Sequence, residues 1–190
     1  NVTAACGPCI YRGDLFGGDF RGNAFACEPA GNLVKRMLLR EENGLLSGSQ
    51  AYEQRDFFTS TDERFRPVNL NVGPEGALYV TDMYRGIIQH AYFMTPYLTD
   101  YIRTRQLEQP IDCGRIWRIV PDDATPRRVT LSSEPAELVQ FLSHTNGWVR
   151  DTAQRLLVCA GDAAVKPALR ALLAPQNLPL TRLHAFWTLE

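Results

Sequence analysis

RFRPVNLNVGPEGALYVTD, residues 64–82, decides how the chain is read. Two alternating runs, Pro67 to Val72 and Ala77 to Asp82, flank Gly73-Pro74-Glu75-Gly76, whose proline supplies a fixed φ and whose glycines supply the positive φ of a tight turn. The pattern predicts a β-hairpin. Val68, Leu70 and Val72 on one run and Leu78 and Val80 on the other form an apolar face at period two, while Asn69 and Asn71 point the opposite way. A hairpin with one apolar face has to stack on a neighbouring layer.

The surrounding chain bounds the answer. At 190 residues and 45% hydrophobic content it holds enough apolar surface for one or two cores. Twenty basic against 21 acidic side chains give a net charge of −1, which argues against nucleic acid or an anionic membrane surface as partner. No apolar run approaches the ~20 residues of a membrane span, and no secretion signal opens the chain. The sequence starts without Met and stops inside an amphipathic pattern, so it reads as a fragment.

Five cysteines, at 6, 9, 27, 113 and 159, are too scattered for a disulfide miniature scaffold, and the pairing of Cys6, Cys9, Cys27 and Cys113 is open. Cys6-Gly7-Pro8-Cys9 has the spacing of a thiol–disulfide oxidoreductase. That chemistry needs its first sulfur at a helix N-terminus, and the glycines that follow (13, 17, 18, 22) offer no helical stripe, so turn cysteines or a structural bridge are the better reading. With Ile10 instead of His after the second cysteine, c-type haem attachment fails.

From Ile10 to Arg55, short strand-like runs recur about every ten residues between glycine-rich turns, the sign of an all-β sandwich, barrel or propeller. Glu28 and Asn32 flank the turn Pro29-Ala30-Gly31, where capping is the plain role. Phe57 and Phe58 interrupt the polar connector 56–63 and suit the space between two sheets. Arg64 and Arg66 share a face on either side of Phe65; they suit ion pairs with Asp62 or Glu63, or an anion or cofactor contact.

After Asp82 an insert, residues 83–113, precedes a further strand at 114–120. Thr95-Pro96 marks a helix start, with Tyr97, Leu98, Tyr101 and Ile102 as its stripe. Long ordered inserts often carry function, which makes Tyr84, Arg85, His90 and Met94 candidates, His90 as ligand or acid–base group. Beyond a linker at 122–133, apolar stripes predict helices over 134–143, 147–160, 162–173 and 179–190. Their pairing at roughly forty residues reads as HEAT-type repeats, with Arg150, Asp151 and Arg182 as a surface ladder.

ACGPCIYRGD (5–14), FRGNAFACEPAGNLVKR (20–36), STDERFRPVNLNVGPEGALYVTDMYRGIIQH (60–90), MTPYL (94–98), GRIWRIV (114–120), NGWVRDTAQRLL (146–157) and TRLHAFWTLE (181–190) are spread along nearly the whole chain. In these stretches it resembles the large secreted proteins of planctomycetes and their relatives that join a glucose/sorbosone-dehydrogenase-like β-propeller to HEAT repeats. Many of those end in a c-type haem domain. The resemblance implies a multidomain β-then-α fold: the last blades of a six-bladed propeller over residues 1–121, with a helical insert at about 83–113, the linker at 122–133, and incomplete HEAT-like repeats over 134–190.

The same resemblance implies a periplasmic or exported protein linked to electron transfer, with two functional versions. In one, a sugar or alcohol dehydrogenase, pyrroloquinoline quinone and calcium serve the full protein and haem c sits in a domain outside this chain. Arg66 falls where a quinone-contacting arginine lies, and Arg64, Glu28, Arg85 and His90 complete the cofactor-binding candidates; Glu28-Pro29-Ala30-Gly31 departs from the family by lacking a lysine. The catalytic histidine is expected outside this chain, and no metal ligand is assigned within it. In the other version, a non-catalytic propeller and HEAT scaffold binds a protein or glycan. Its partners would be the rest of its own polypeptide and a c-type cytochrome or other protein on the HEAT face.

Overall fold

The structure is a computed structural model that describes residues 3–190. The chain divides into two compact units. The first comprises residues up to Tyr11, Phe20–Asn71 and Leu78–Ile119, and the second comprises Arg12–Asp19, Val72–Ala77 and Val120–Glu190.

In the first unit, β1 (Cys6–Ile10), β2 (Ala24–Glu28), β3 (Leu33–Glu42) and β4 (Leu45–Gln50) form an antiparallel meander, and the short β5 (Phe58–Thr59) pairs with the start of β3. Alternation sends Phe25 and Cys27 of β2 and Val34 of β3 into the core. Phe25 meets Phe57 edge to face at 4.9 Å, as two rings with positive edges and negative faces prefer.

β6 (Pro67–Val72), β7 (Leu78–Asp82) and β8 (Arg115–Ile119) form a second sheet in that order, with β7 and β8 antiparallel. This is the hairpin of residues 64–82. Its turn closes through Gly73 N–H donating to Ala77 O (2.9 Å) and Gly76 N–H to Gly73 O (3.0 Å), with Gly76 at φ +82°. Leu70, Leu78 and Val80 are buried while Asn69, Asn71 and Thr81 are exposed, so the period-two face faces the core. Phe58 meets Phe65 at 5.1 Å and Trp117 at 6.1 Å, and these rings fill the space beside the strands. Between β7 and β8 runs the insert, whose helix α1 (Pro96–Thr104) starts at Thr95: the Thr95 hydroxyl accepts from Leu98 N–H (3.2 Å) and Pro96 takes the first helical position.

The second unit is helical: α2 (Pro135–Leu138) runs into a 3₁₀ turn, followed by α3 (Gly147–Ala160), α4 (Lys166–Leu172) and α5 (Pro179–Leu189). Leu138, Leu142, Ala153, Leu157, Leu169 and Ala185 share one core. Asn146, fully buried, organises its polar edge. The Asn146 Oδ1 caps α3 by accepting from Trp148 N–H (3.0 Å), while its Nδ2 donates to Gly73 O and Pro74 O at 3.0 Å each.

These observations correct the expected fold. A propeller needs like sheets repeated around an axis, whereas the strands form one open sheet of five and one open sheet of three. The HEAT repeats are likewise absent among the described residues: α2 has 4 residues, α3 14, α4 7 and α5 11, and all pack around one core instead of stacking as equal pairs. The local signals were sound for short antiparallel strands and for helices, but the same signals serve many arrangements of them. Arg150 is not a surface residue: only 6% exposed, it donates to His144 O (2.6 Å), Thr145 O (3.0 Å) and His184 Nε2 (3.3 Å). Asp151 pairs with Arg12, and Arg182 donates to Leu173 O (3.1 Å). Among the described residues no helix is long and apolar enough to cross a membrane.

Candidate functional site

Two segments of the first unit without regular structure, the turn after β2 and the loop after β7, leave backbone carbonyls that no ladder satisfies. Arg66, 9% exposed, supplies the donors. Its Nη1 donates to Pro29 O (2.7 Å) and Ala30 O (3.5 Å), its Nε to Arg85 O (2.8 Å) and its Nη2 to Gly86 O (3.0 Å). A planar guanidinium reaches these acceptors together as no ammonium can. Burial lowers its pKa, against the opposing pull of Glu63 and Asp82.

Asp82 anchors the same strand end from beneath. Its side chain is wholly buried, and its Oδ1 accepts from Arg66 N–H (2.8 Å) and Tyr84 N–H (2.9 Å) while its Oδ2 accepts from Arg115 Nε (3.0 Å) and Trp117 Nε1 (3.0 Å). Burial by itself pushes this carboxyl up, and the four hydrogen bonds to the ionised form outweigh it, so its pKa is lowered. The Arg115 guanidinium also lies 3.7 Å from the Tyr84 ring centre and 4.9 Å from that of Trp117.

Above this platform lies a cleft of about 300 Å³, within the range of small-molecule sites. Ile87, Leu98, Ile102 and Leu107 give it apolar walls; Asn32, Glu63, Arg66, Gln89 and Tyr101 are its polar lining. Gly86 lets the loop after β7 approach residue 107: a Cβ there would lie 2.3 Å from Leu107 O. The Glu63 carboxylate holds the rim. Its Oε1 accepts from Tyr101 Oη (2.6 Å) and from Arg105 Nη1, and its Oε2 accepts nothing among the described residues. That hydrogen bond raises the Tyr101 pKa. Asn32, in the left-handed region at φ +55°, donates Nδ2 to Phe65 O (2.6 Å), and its Oδ1 accepts nothing among the described residues.

Of the cofactor-binding candidates, Arg66 alone lines this cleft. Arg64 ties down the chain after α1, donating Nε to Gln109 O and Nη2 to Gln106 O at 2.9 Å each. Glu28 is buried and accepts from the backbone N–H groups of Thr3 (3.1 Å) and Ala4 (3.0 Å). Arg85 contributes its carbonyl to Arg66. His90 is exposed, and its Nδ1 caps a 3₁₀ turn by accepting from Tyr92 N–H (3.1 Å). A quinone bearing several carboxylates needs cationic donors aimed at it. Arg64 and Arg66 aim theirs at carbonyls, and the cleft carries the Glu63 carboxylate, so these residues do not form an anchoring set for that group. Among the described residues no group of three or more His, Cys, Asp or Glu is placed to hold a metal ion.

Sequence reasoning passed over Glu63, Tyr101, Asn32 and Asp82 as a set. The available signal was Tyr101 on the stripe of α1, on the side of Leu98 and Ile102 and yet polar.

Residues 1–123 match the model of a domain of unknown function, DUF7133. The chain belongs to the DUF7133 family. Every residue lining the cleft lies inside the DUF7133 match. Searches of curated proteins and of solved structures each returned no match.

Proposed function

We propose that the DUF7133 region is a binding module whose cleft takes a neutral, polyhydroxylated ligand, a sugar unit above all. The observation that carries this is the Glu63 carboxylate. Tyr101 and Arg105 fix it through Oε1, and Oε2 is left to accept, beside apolar walls. A sugar ring presents hydroxyl donors at its edge and C–H groups on its faces, and Glu63 and Asn32, which each keep an acceptor oxygen, line the cleft together with Ile87, Leu98, Ile102 and Leu107. Glu63 and Arg66 are the charged residues of the lining and cancel, which favours a neutral ligand over an anion. The resemblance to exported sugar-dehydrogenase-like proteins supports the same ligand class. In this reading the chain recognises and positions a glycan, and any electron transfer belongs to other domains of the full protein.

Calorimetric titration of the chain with a panel of neutral mono- and disaccharides tests this. Saturable binding of at least one sugar, weakened about tenfold by Glu63→Gln, is expected, since one charge-assisted hydrogen bond is worth about 1.4 kcal/mol or more. Heats indistinguishable from dilution across the panel, with saturable binding of pyrroloquinoline quinone in the presence of calcium, would replace the glycan module with the cofactor site.

A further inference from the structure

Three cysteines share one face of the five-stranded sheet. Cys6 on β1 lies directly opposite Cys27 on β2, and Cys9 lies opposite Phe25, two residues before Cys27. Partners directly opposite in an antiparallel ladder point to the same side, as do residues two apart on one strand, so all three thiols emerge on the side of Cys27. Regular pairing would have put Gly7 opposite Cys27 and turned Cys6 to the other face. A bulge between Cys6 and Cys9 prevents this, with Gly7 at φ +53° as the residue that absorbs it. The conformation is protected by packing: a Cβ on Gly7 would lie 2.5 Å from Val68 O.

From this placement we infer that Cys6 and Cys27 form a cross-strand disulfide on mild oxidation, with Cys9 left as the third thiol. Directly opposed residues in an antiparallel pair have Cα atoms roughly 4.5–5.5 Å apart, inside the roughly 4.4–6.8 Å that a disulfide spans, whereas diagonal neighbours such as Cys9 and Cys27 stand roughly 7–8 Å apart. All five cysteines are thiols in the structure, Cys6 and Cys9 half-buried, Cys27 buried. Burial, with the Cys6 and Cys9 thiols nearby, pushes the Cys27 thiol up to about 12, and Cys6, also raised but less enclosed, is the first nucleophile.

With a small-molecule disulfide as oxidant, the Cys6 thiolate attacks one of its sulfurs and expels a thiolate. The Cys27 sulfur then attacks Cys6 in the mixed disulfide and expels the second thiolate. Two protein thiols are oxidised, one disulfide is reduced to two small thiols, and those thiols carry off both protons. The bridge would lock β1 to β2 next to the turn whose carbonyls Arg66 holds.

The experiment equilibrates the folded chain with oxidised glutathione, quenches with acid, and counts thiols with a maleimide in denaturant. In a Cys113→Ser, Cys159→Ser background, which removes the two exposed thiols that glutathione would cap, the count falls by two from three, and fragmentation of the disulfide-linked peptides assigns Cys6 to Cys27. Cys9→Ser leaves the loss of two thiols unchanged, and Cys6→Ser abolishes it. Retention of all thiols in that background, or a Cys9–Cys27 link forming as readily in Cys6→Ser as the Cys6–Cys27 link does without it, overturns the inference.

Discussion

Replacing Asp82 by Asn tests whether one buried carboxylate holds the strand ends under the cleft. Asparagine keeps an oxygen for the N–H groups of Arg66 and Tyr84, and turns an NH₂ towards Arg115 Nε and Trp117 Nε1, which are both donors. Two hydrogen bonds to a charged group are lost, each worth about 1.5–3 kcal/mol. The Arg115 side chain is 39% exposed and Trp117 38%, so both can turn partly to water, and about half of that sum is recovered. The net expectation is a loss of about 1.5–3 kcal/mol.

The assay is urea unfolding at 25 °C followed by Trp117 fluorescence, in a Trp148→Phe, Trp187→Phe background so that only the first unit reports. The pH dependence supplies a second reading. The folded-state pKa of Asp82 lies below its ordinary 3.8, so its contribution is complete above that value and is lost as pH falls through the folded-state pKa. The gap between wild type and Asp82→Asn is therefore full at neutral pH and closes below about pH 4. A gap under about 0.5 kcal/mol at pH 7, or one unchanged in acid, would refute the reasoning.

Arg66→Lys retains the charge and loses the fork, leaving most of the carbonyls of Pro29, Ala30, Arg85 and Gly86 without a donor; it should cost about 2–3 kcal/mol and speed amide exchange at residues 30–31 and 84–87. Gly86→Ala drives a methyl against Leu107 O and should cost about 1–3 kcal/mol in urea unfolding while widening the cleft. The His184 pKa is lowered by burial and by Arg150, so the unfolded state takes up the proton first as pH falls below about 6.5; stability of the second unit, followed by Trp148 and Trp187, should fall between pH 7 and 5 by at most about 1.4 kcal/mol per pH unit, and His184→Gln should flatten that slope.

What could be read in advance was whatever local spacing determines. The hairpin, its Gly73–Gly76 turn, the Thr95-Pro96 helix start and the helical stripes from 134 onwards all sit where period and capping put them. The arrangement of sheets could not be read that way, because alternation says which face of a strand is apolar and nothing about how many strands meet, and here five and three do. The site was hidden for a related reason. Arg66 stands out in the sequence as a functional arginine, but its acceptors come from positions 37 and 19 residues away and are backbone carbonyls, which no side-chain pattern announces. Glu63 sits in a polar connector that looks like a solvated run, and its partners Tyr101 and Arg105 arrive with the insert. Arg150 has the sequence signature of a surface residue because arginines usually are exposed, yet the carbonyls just before α3 and His184 of α5 bury it among them.

The cleft as a sugar site is the central claim, and amide chemical-shift mapping tests it most directly. Titration of the ¹⁵N-labelled chain with the sugar that binds best by calorimetry should shift the amides of Asn32, Glu63, Ile87, Gln89 and Tyr101 saturably, leave those of α3 to α5 in place, and lose the effect in Glu63→Gln. Shifts scattered over both units, or equal in Glu63→Gln, would contradict it.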